Sequence, residues 1–121
     1  MNQNNDKFKL ASLVKKLILD SENLIVNIPK YDYYNRDKFR DDITNILYLI
    51  YLANNIEDKD NRLKYQHDIL ARLCMVDFYL ERAYLLKYIS QKQLYNYTKK
   101  LEVIIKMTKG WIKSNEWCRF R

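Results

Sequence analysis

An unbroken helical pattern runs from Ser90 to Ser114. Leu94, Tyr97, Leu101, Ile104, Ile105, Thr108, Trp111 and Ile112 recur at steps of three and four. About 100° of rotation per residue collects them on one side of a rod. Ser90 and Gln93 have the form of a capping box, in which a hydroxyl and an amide satisfy free N–H groups at a helix start. Lys92, Lys99, Lys106 and Lys113 recur every seventh residue on the opposite side, with Lys109 close by. A rod greasy along one side has to bury that stripe against other elements.

The rest of the chain supplies three such elements. The first helix is expected over 6–27, with Leu10, Leu13, Val14, Leu17, Ile18, Leu24 and Ile25 on its buried face. Pro29 ends it, because proline lacks the donor a helix interior needs and disfavours helix in the residue before it. The linker Lys30-Tyr31-Asp32-Tyr33-Tyr34 is short and aromatic; packing back onto the helices is the expected role of its tyrosines, stacking on a base the alternative. The second helix is expected over 36–55, with Phe39, Ile43, Ile46, Leu47, Ile50 and Ala53 inward. The third is expected over 58–88, opening on acids that the helix dipole favours, with Ile69, Leu70, Leu73, Val76, Leu80, Ala83 and Tyr84 inward. The fourth is 90–114, followed by a tail over 115–121. One glycine and one proline in 121 residues leave little turn chemistry for anything but helices. The pattern predicts an all-α, antiparallel up-down-up-down four-helix bundle, one domain over 1–121.

Two helices carry surplus apolar residues. Tyr48, Leu49, Leu52 and Ile56 form a second strip on helix two; His67, Cys74, Phe78 and Leu85 form a thinner one on helix three. A helix apolar on two sides is usually buried on two sides, so Tyr48, Leu52 and Phe78 are expected between subunits of a homo-oligomer. Cys74 is expected to be a small buried hydrophobe. Asp77, at the edge of the core face, is expected to pair with Arg72, Arg82 or Arg36. Gly110 is expected to let the Trp111 region pack closely, and Trp111 itself to be core rather than a stacking platform.

Charge is concentrated at one end of the chain. Residues 90–121 hold eight of the 22 Lys and Arg but only two of the 15 acidic residues, so nearly all of the +7 net charge lies there. A field that localised attracts polyanions. Lys92, Lys99, Lys106, Lys109, Lys113 and Arg119 are the candidate nucleic-acid-binding residues; a merely solvated lysine face is the competing reading.

Chemistry at a catalytic site is not expected. His67 is the only histidine, so a histidine-based triad or general base has no second choice. Neither Cys74 nor Cys118 has a metal partner at zinc spacing, and the paired Glu-x-x-His pattern of di-metal bundles is absent. Gly110 alone cannot make a phosphate-cradling loop. No catalytic residue, metal, cofactor or small-molecule substrate is expected. The longest apolar run, Ile46 to Ala53, is far short of the ~20 residues a membrane span needs, and the polar first residues do not read as a signal peptide. A cytoplasmic protein without membrane contact is expected.

The stretch Ala83-Tyr-Leu-Leu-Lys-Tyr-Ile-Ser-Gln-Lys-Gln93, the segment Gly110-Trp-Ile-Lys-Ser114, and the pairs Pro29-Lys30 and Ala53-Asn54 carry a resemblance. Together they resemble the accessory variability determinant family of diversity-generating retroelements, four-helix bundles related to those encoded in intervening sequences of ribosomal RNA genes. The resemblance spans about residues 10 to 114. It implies a homopentamer with a basic surface and no catalytic site. It also implies binding to the element's reverse transcriptase and template RNA during mutagenic cDNA synthesis. The chain departs from the family pattern at Tyr31-Asp32-Tyr33 and at Glu81, with Arg82 alongside. A protein-interaction module, or a bundle protein associated with ribosomal RNA, are the alternative readings.

Overall fold

The computed structural model describes residues 3–119, with side chains described over 9–115. Four helices follow in order: α1 (Gln3–Ile25), α2 (Phe39–Asn55), α3 (Lys59–Leu85) and α4 (Gln91–Arg119), with a π-helical turn at Tyr34–Lys38 leading into α2. Each helix packs on its neighbours in sequence, and α1 closes against α4. One core runs through all four, including Leu10, Val14 and Leu17 from α1, Phe39, Ile46 and Ile50 from α2, Leu73, Val76 and Leu80 from α3, and Tyr97, Leu101 and Ile104 from α4. Fully burying such a side chain contributes about 1.5–3 kcal/mol before the entropy of ordering is subtracted.

The direction of each helix follows from which residues meet. Glu22 pairs with Arg40 while Lys15 stands over the Tyr51 ring, so α2 runs against α1. Asn35 meets Tyr79 and Asp42 meets Arg72, which reverses α3 against α2. Arg62 donates to the Asn115 side chain at 3.3 Å, and α4 begins a few residues after α3 ends, so α4 reverses again. The bundle is all-α with alternating directions, as the periodicity predicts.

The helix ends show where local chemistry decides. α1 stops at Ile25, two residues early, as Asn27 and Ile28 tighten onto the carbonyls of Leu24 and Ile25 ahead of Pro29. Asp58 caps α3, its carboxylate accepting from the Asp60 N–H at 3.4 Å. The far end of α3 closes with Lys87 N–H on the Tyr84 carbonyl and Tyr88 N–H on the Ala83 carbonyl, both at 2.9 Å. That is a Schellman closure, and Lys87 takes its left-handed position (φ 66°) where glycine is usual. The Ser90–Gln93 capping box forms reciprocally: Ser90 N–H donates to Gln93 Oε1 at 2.8 Å and Gln93 N–H to Ser90 Oγ at 3.1 Å.

Two expectations about α4 are corrected. The helix does not end at Ser114 but continues to Arg119. The inward stripe extends one more step to Asn115, which is buried and bonded to Gln66 and Arg62 of α3. The order of the tail's last two residues lies outside the described residues. Gly110 does not mediate close packing: it is exposed, and a Cβ built there meets nothing within 4 Å. A glycine inside an exposed helical turn only costs backbone entropy. Gly110→Ala is therefore expected to raise stability by about 0.8–1 kcal/mol, read as a higher midpoint in urea unfolding with unchanged slope.

Candidate nucleic-acid interface

The outward face of α4 is built by the same rotation that buries its inward one. Lys92, Lys99, Lys106, Lys109 and Lys113 are all exposed. At 1.5 Å per residue the row from Lys92 to Lys113 is about 32 Å long. Because seven residues fall short of two full turns by about 20°, the row slants around the rod instead of running straight. No carboxylate pairs with any of these five among the described residues, whereas Lys100, one step round the helix, is held by Asp20 at 2.7 Å. Glu102 is the one acid on this face among the described side chains, and it makes no ion pair. Tyr95 is exposed beside the row with the Lys99 ammonium 5.3 Å from its ring centre.

The α1 flank adds to this field. Lys16 borders a shallow apolar groove between the two helices, floored by Leu13 and Leu17 of α1 and Val103 and Ile104 of α4. Lys9, one heptad earlier, is exposed as well. The α2–α3 side is different in kind. Residues 34–89 hold nine basic and nine acidic residues. Several cancel locally: Arg72 bridges Asp42 and Asp68, both at 3.0 Å. The bundle is thus electrically lopsided, with five lysines of α4 lacking carboxylate partners among the described residues and ion-paired charges opposite. The Arg119 side chain, counted with the lysines from the sequence, lies outside the described residues.

The candidate oligomer residues divide. Tyr48 and Phe78 are 61% and 45% exposed and leave apolar surface uncovered. Leu52 is half-buried against the core, so it is only partly free for another subunit. Leu49, expected on the outer strip, is buried at 6% because α3 packs over that flank of α2. Cys74 is exposed rather than buried, since its strip faces away from α2 and α4. Asp77 is exposed and has no arginine partner among the described residues. Each candidate is engaged elsewhere: Arg72 with Asp42 and Asp68, Arg82 with Asp32, and Arg36 with the Ile28 carbonyl. Trp111 is core, as expected, at 9% exposure, with its Nε1 left unpaired.

Sequence reasoning missed a polar lock at the end of the bundle where the 26–33 and 86–90 connections lie. Asp32, 8% exposed, accepts from Arg82 (3.0 and 3.1 Å), from the Tyr88 hydroxyl (2.8 Å) and from the Asn35 N–H (3.1 Å). Asn35, fully buried, donates to the Tyr79 carbonyl at 2.8 Å and accepts from Arg82. Burial pushes the Asp32 carboxyl up, but the Asn35 N–H, the Tyr88 hydroxyl and Arg82 together outweigh it and hold it below the usual range. The same bond to Asp32 pushes the Tyr88 phenol up to about 12. Tyr34 completes the lock, edge-on to Tyr79 and under the Arg82 guanidinium. Tyr31 and Tyr33 do not pack back: they stand 85% and 60% exposed.

Among the described residues, no three His, Cys, Asp or Glu side chains converge to hold a metal, and no helix is long and apolar enough to cross a membrane. Comparison with known proteins finds no matching family model, no matching curated protein and no matching solved structure.

Proposed function

We propose that this protein is a non-catalytic, cytoplasmic accessory subunit of a diversity-generating retroelement. In this reading it binds template RNA and its cDNA along α4, binds the reverse transcriptase, and supports mutagenic cDNA synthesis. The observation that carries the nucleic-acid part is the row of five lysines without carboxylate partners on an otherwise charge-balanced bundle. The retroelement and the polymerase rest on the resemblance alone, through Ala83–Gln93 and Gly110–Ser114. Binding is electrostatic: each lysine that meets a phosphate releases condensed counterions, and no bond is made or broken. Self-association through Tyr48 and Phe78, to the pentamer that the resemblance implies, multiplies these weak contacts into avidity.

Salt separates this from the second reading, a protein-interaction module, which the exposed Tyr48, Phe78 and Leu85 favour. Five phosphate contacts on a single strand predict a log–log slope of affinity against salt near −3.5, about 0.7 per contact. A filter-binding titration of template RNA between 50 and 200 mM salt measures it. A slope near zero, or no binding at the lower salt, refutes the nucleic-acid reading. Sedimentation of the free protein tests the ring, because a species of 14.9 kDa at all concentrations means no ring forms. A reverse transcriptase gene with a near-repeat pair beside this one is the observation that tests the retroelement assignment.

A further inference from the structure

The α2–α3 connection at one end of the bundle carries Glu57, Asp58 and Asp60 beside Lys59, Arg62 and the Lys109–Lys113 end of the α4 row. The other end carries the two connections that Asp32 ties together, and there Tyr31 and Tyr33 project into solvent while Asp32 between them points inward. Lys30, Lys38 and Lys87 on the adjoining connections and turn are exposed, with Asp37 and Glu81 the acids at this end, and none of the three lysines has a carboxylate partner among the described residues. Tyr88, which donates to Asp32, lies four residues ahead of Lys92, so this end abuts the start of the α4 lysine row.

A single exposed tyrosine needs no explanation. Two rings on one short turn, held from beneath by a buried carboxylate with three partners, are a different matter. Their backbone is already ordered, so a flat partner that covers them meets little further entropic cost. The lysines at this end of the bundle select an anion, and the rings select a flat face. An unpaired nucleotide offers both in one unit. A duplex offers the charge but keeps its base faces stacked on one another. Tyr34 is not part of this platform, because the Arg82 guanidinium lies over its ring and Tyr79 meets it in an edge arrangement.

We propose that Tyr31 and Tyr33 are a stacking platform for unpaired nucleobases, so that the polymer held by α4 is single-stranded where it crosses this end of the bundle. This deepens the reading of α4 as a phosphate-binding face and rests on it. Base–aromatic stacking sets the expected size: the Tyr31→Ala/Tyr33→Ala double variant loses at least about tenfold in affinity for an oligouridine of about 12 nucleotides. Its affinity for a blunt RNA duplex of equal length, and for an abasic strand, stays within about twofold of wild type. The Tyr31→Phe/Tyr33→Phe variant binds oligouridine like wild type, since the ring and not the hydroxyl does the stacking. Both rings are exposed, so the double alanine variant is expected to melt within a few degrees of wild type and its loss is not a loss of fold.

The outcomes separate cleanly. Undiminished oligouridine binding by the alanine variant, with salt dependence intact, overturns the platform and leaves the α4 face standing. Equal loss on duplex and single strand overturns it too, by showing a charge or folding effect. Wild-type protein that binds no RNA at low salt removes both proposals. Binding of wild type to phosphatidylserine vesicles that the alanine variant loses, with oligouridine affinity unchanged, replaces nucleic acid with a membrane surface as the occupant.

Discussion

Reversing Lys99, Lys106, Lys109 and Lys113 to Glu is expected to abolish RNA binding, a loss of 100-fold or more at ~100 mM salt, while leaving the bundle folded. Each reversal removes two units of charge, so the four together erase the whole +7 excess and turn an attractive face into a repulsive one. The fold survives because all four side chains are exposed and Glu forms helix about as well as Lys. The like-charge pairs 99/102, 102/106, 106/109 and 109/113, each three or four residues apart, together cost about 1–2 kcal/mol at 0.2–0.5 kcal/mol each. Glutamates near the C-terminal end of α4 cost a few tenths of a kcal/mol more against the helix dipole. Circular dichroism should therefore show unchanged helix and a melting point lowered by about 10 °C or less, still far above the 25 °C of the binding assay. Lys100→Ala is the matched control: its ammonium is already committed to Asp20, so RNA affinity should change less than about threefold. Equal RNA affinity in wild type and the fourfold variant would sink the proposed function.

How much of this is legible in the chain depends on whether a feature is one-dimensional. The helices and the outward lysines are, because a period of three and four, or of seven, needs no knowledge of what packs where. The Ser90–Gln93 box is local and appears in the structure as a reciprocal pair. What fails is whatever depends on a neighbour. Leu49 reads as outer by rotation alone, but α3 covers that flank. Asp77 reads as needing an arginine, but the arginines are claimed by Asp42, Asp68 and Asp32. Asp32 reads as an ordinary loop acid, because its partners Arg82 and Tyr88 lie 50 and 56 residues further along the chain. Buried polar residues such as Asn35, Gln66 and Asn115 carry no periodic mark at all. The site follows the same rule: the lysine row was visible as a pattern, whereas the tyrosines' exposure follows from how the lock turns their backbone.

Asp32→Ala is expected to destabilise the protein by about 2–4 kcal/mol. Two losses combine. The carboxylate caps the Asn35 N–H at the start of the turn into α2, and removing such a cap costs about 0.5–2 kcal/mol. It also neutralises Arg82, whose guanidinium sits against Asn35 and the Tyr34 ring. Breaking a fully buried pair costs about 3–5 kcal/mol, but Arg82 is 33% exposed and water recovers part of that. A fall in melting point of about 10 °C is the expected readout for a domain of this size. The pH dependence fixes the mechanism. The folded carboxyl is held below its unfolded value, so its contribution is complete above about pH 4 and fades as pH falls through the lowered value. Asp32→Asn keeps an acceptor for the cap but no charge, so it should lie below wild type at pH 7 and converge with it once the pH has fallen below the lowered value. A constant gap between the two across that range would mean that packing, not charge, does the holding. The lock also aims the platform, since Tyr31 and Tyr33 flank the residue being changed. Asp32→Asn, still folded at 25 °C, should therefore bind oligouridine more weakly than wild type, with its duplex affinity unaltered.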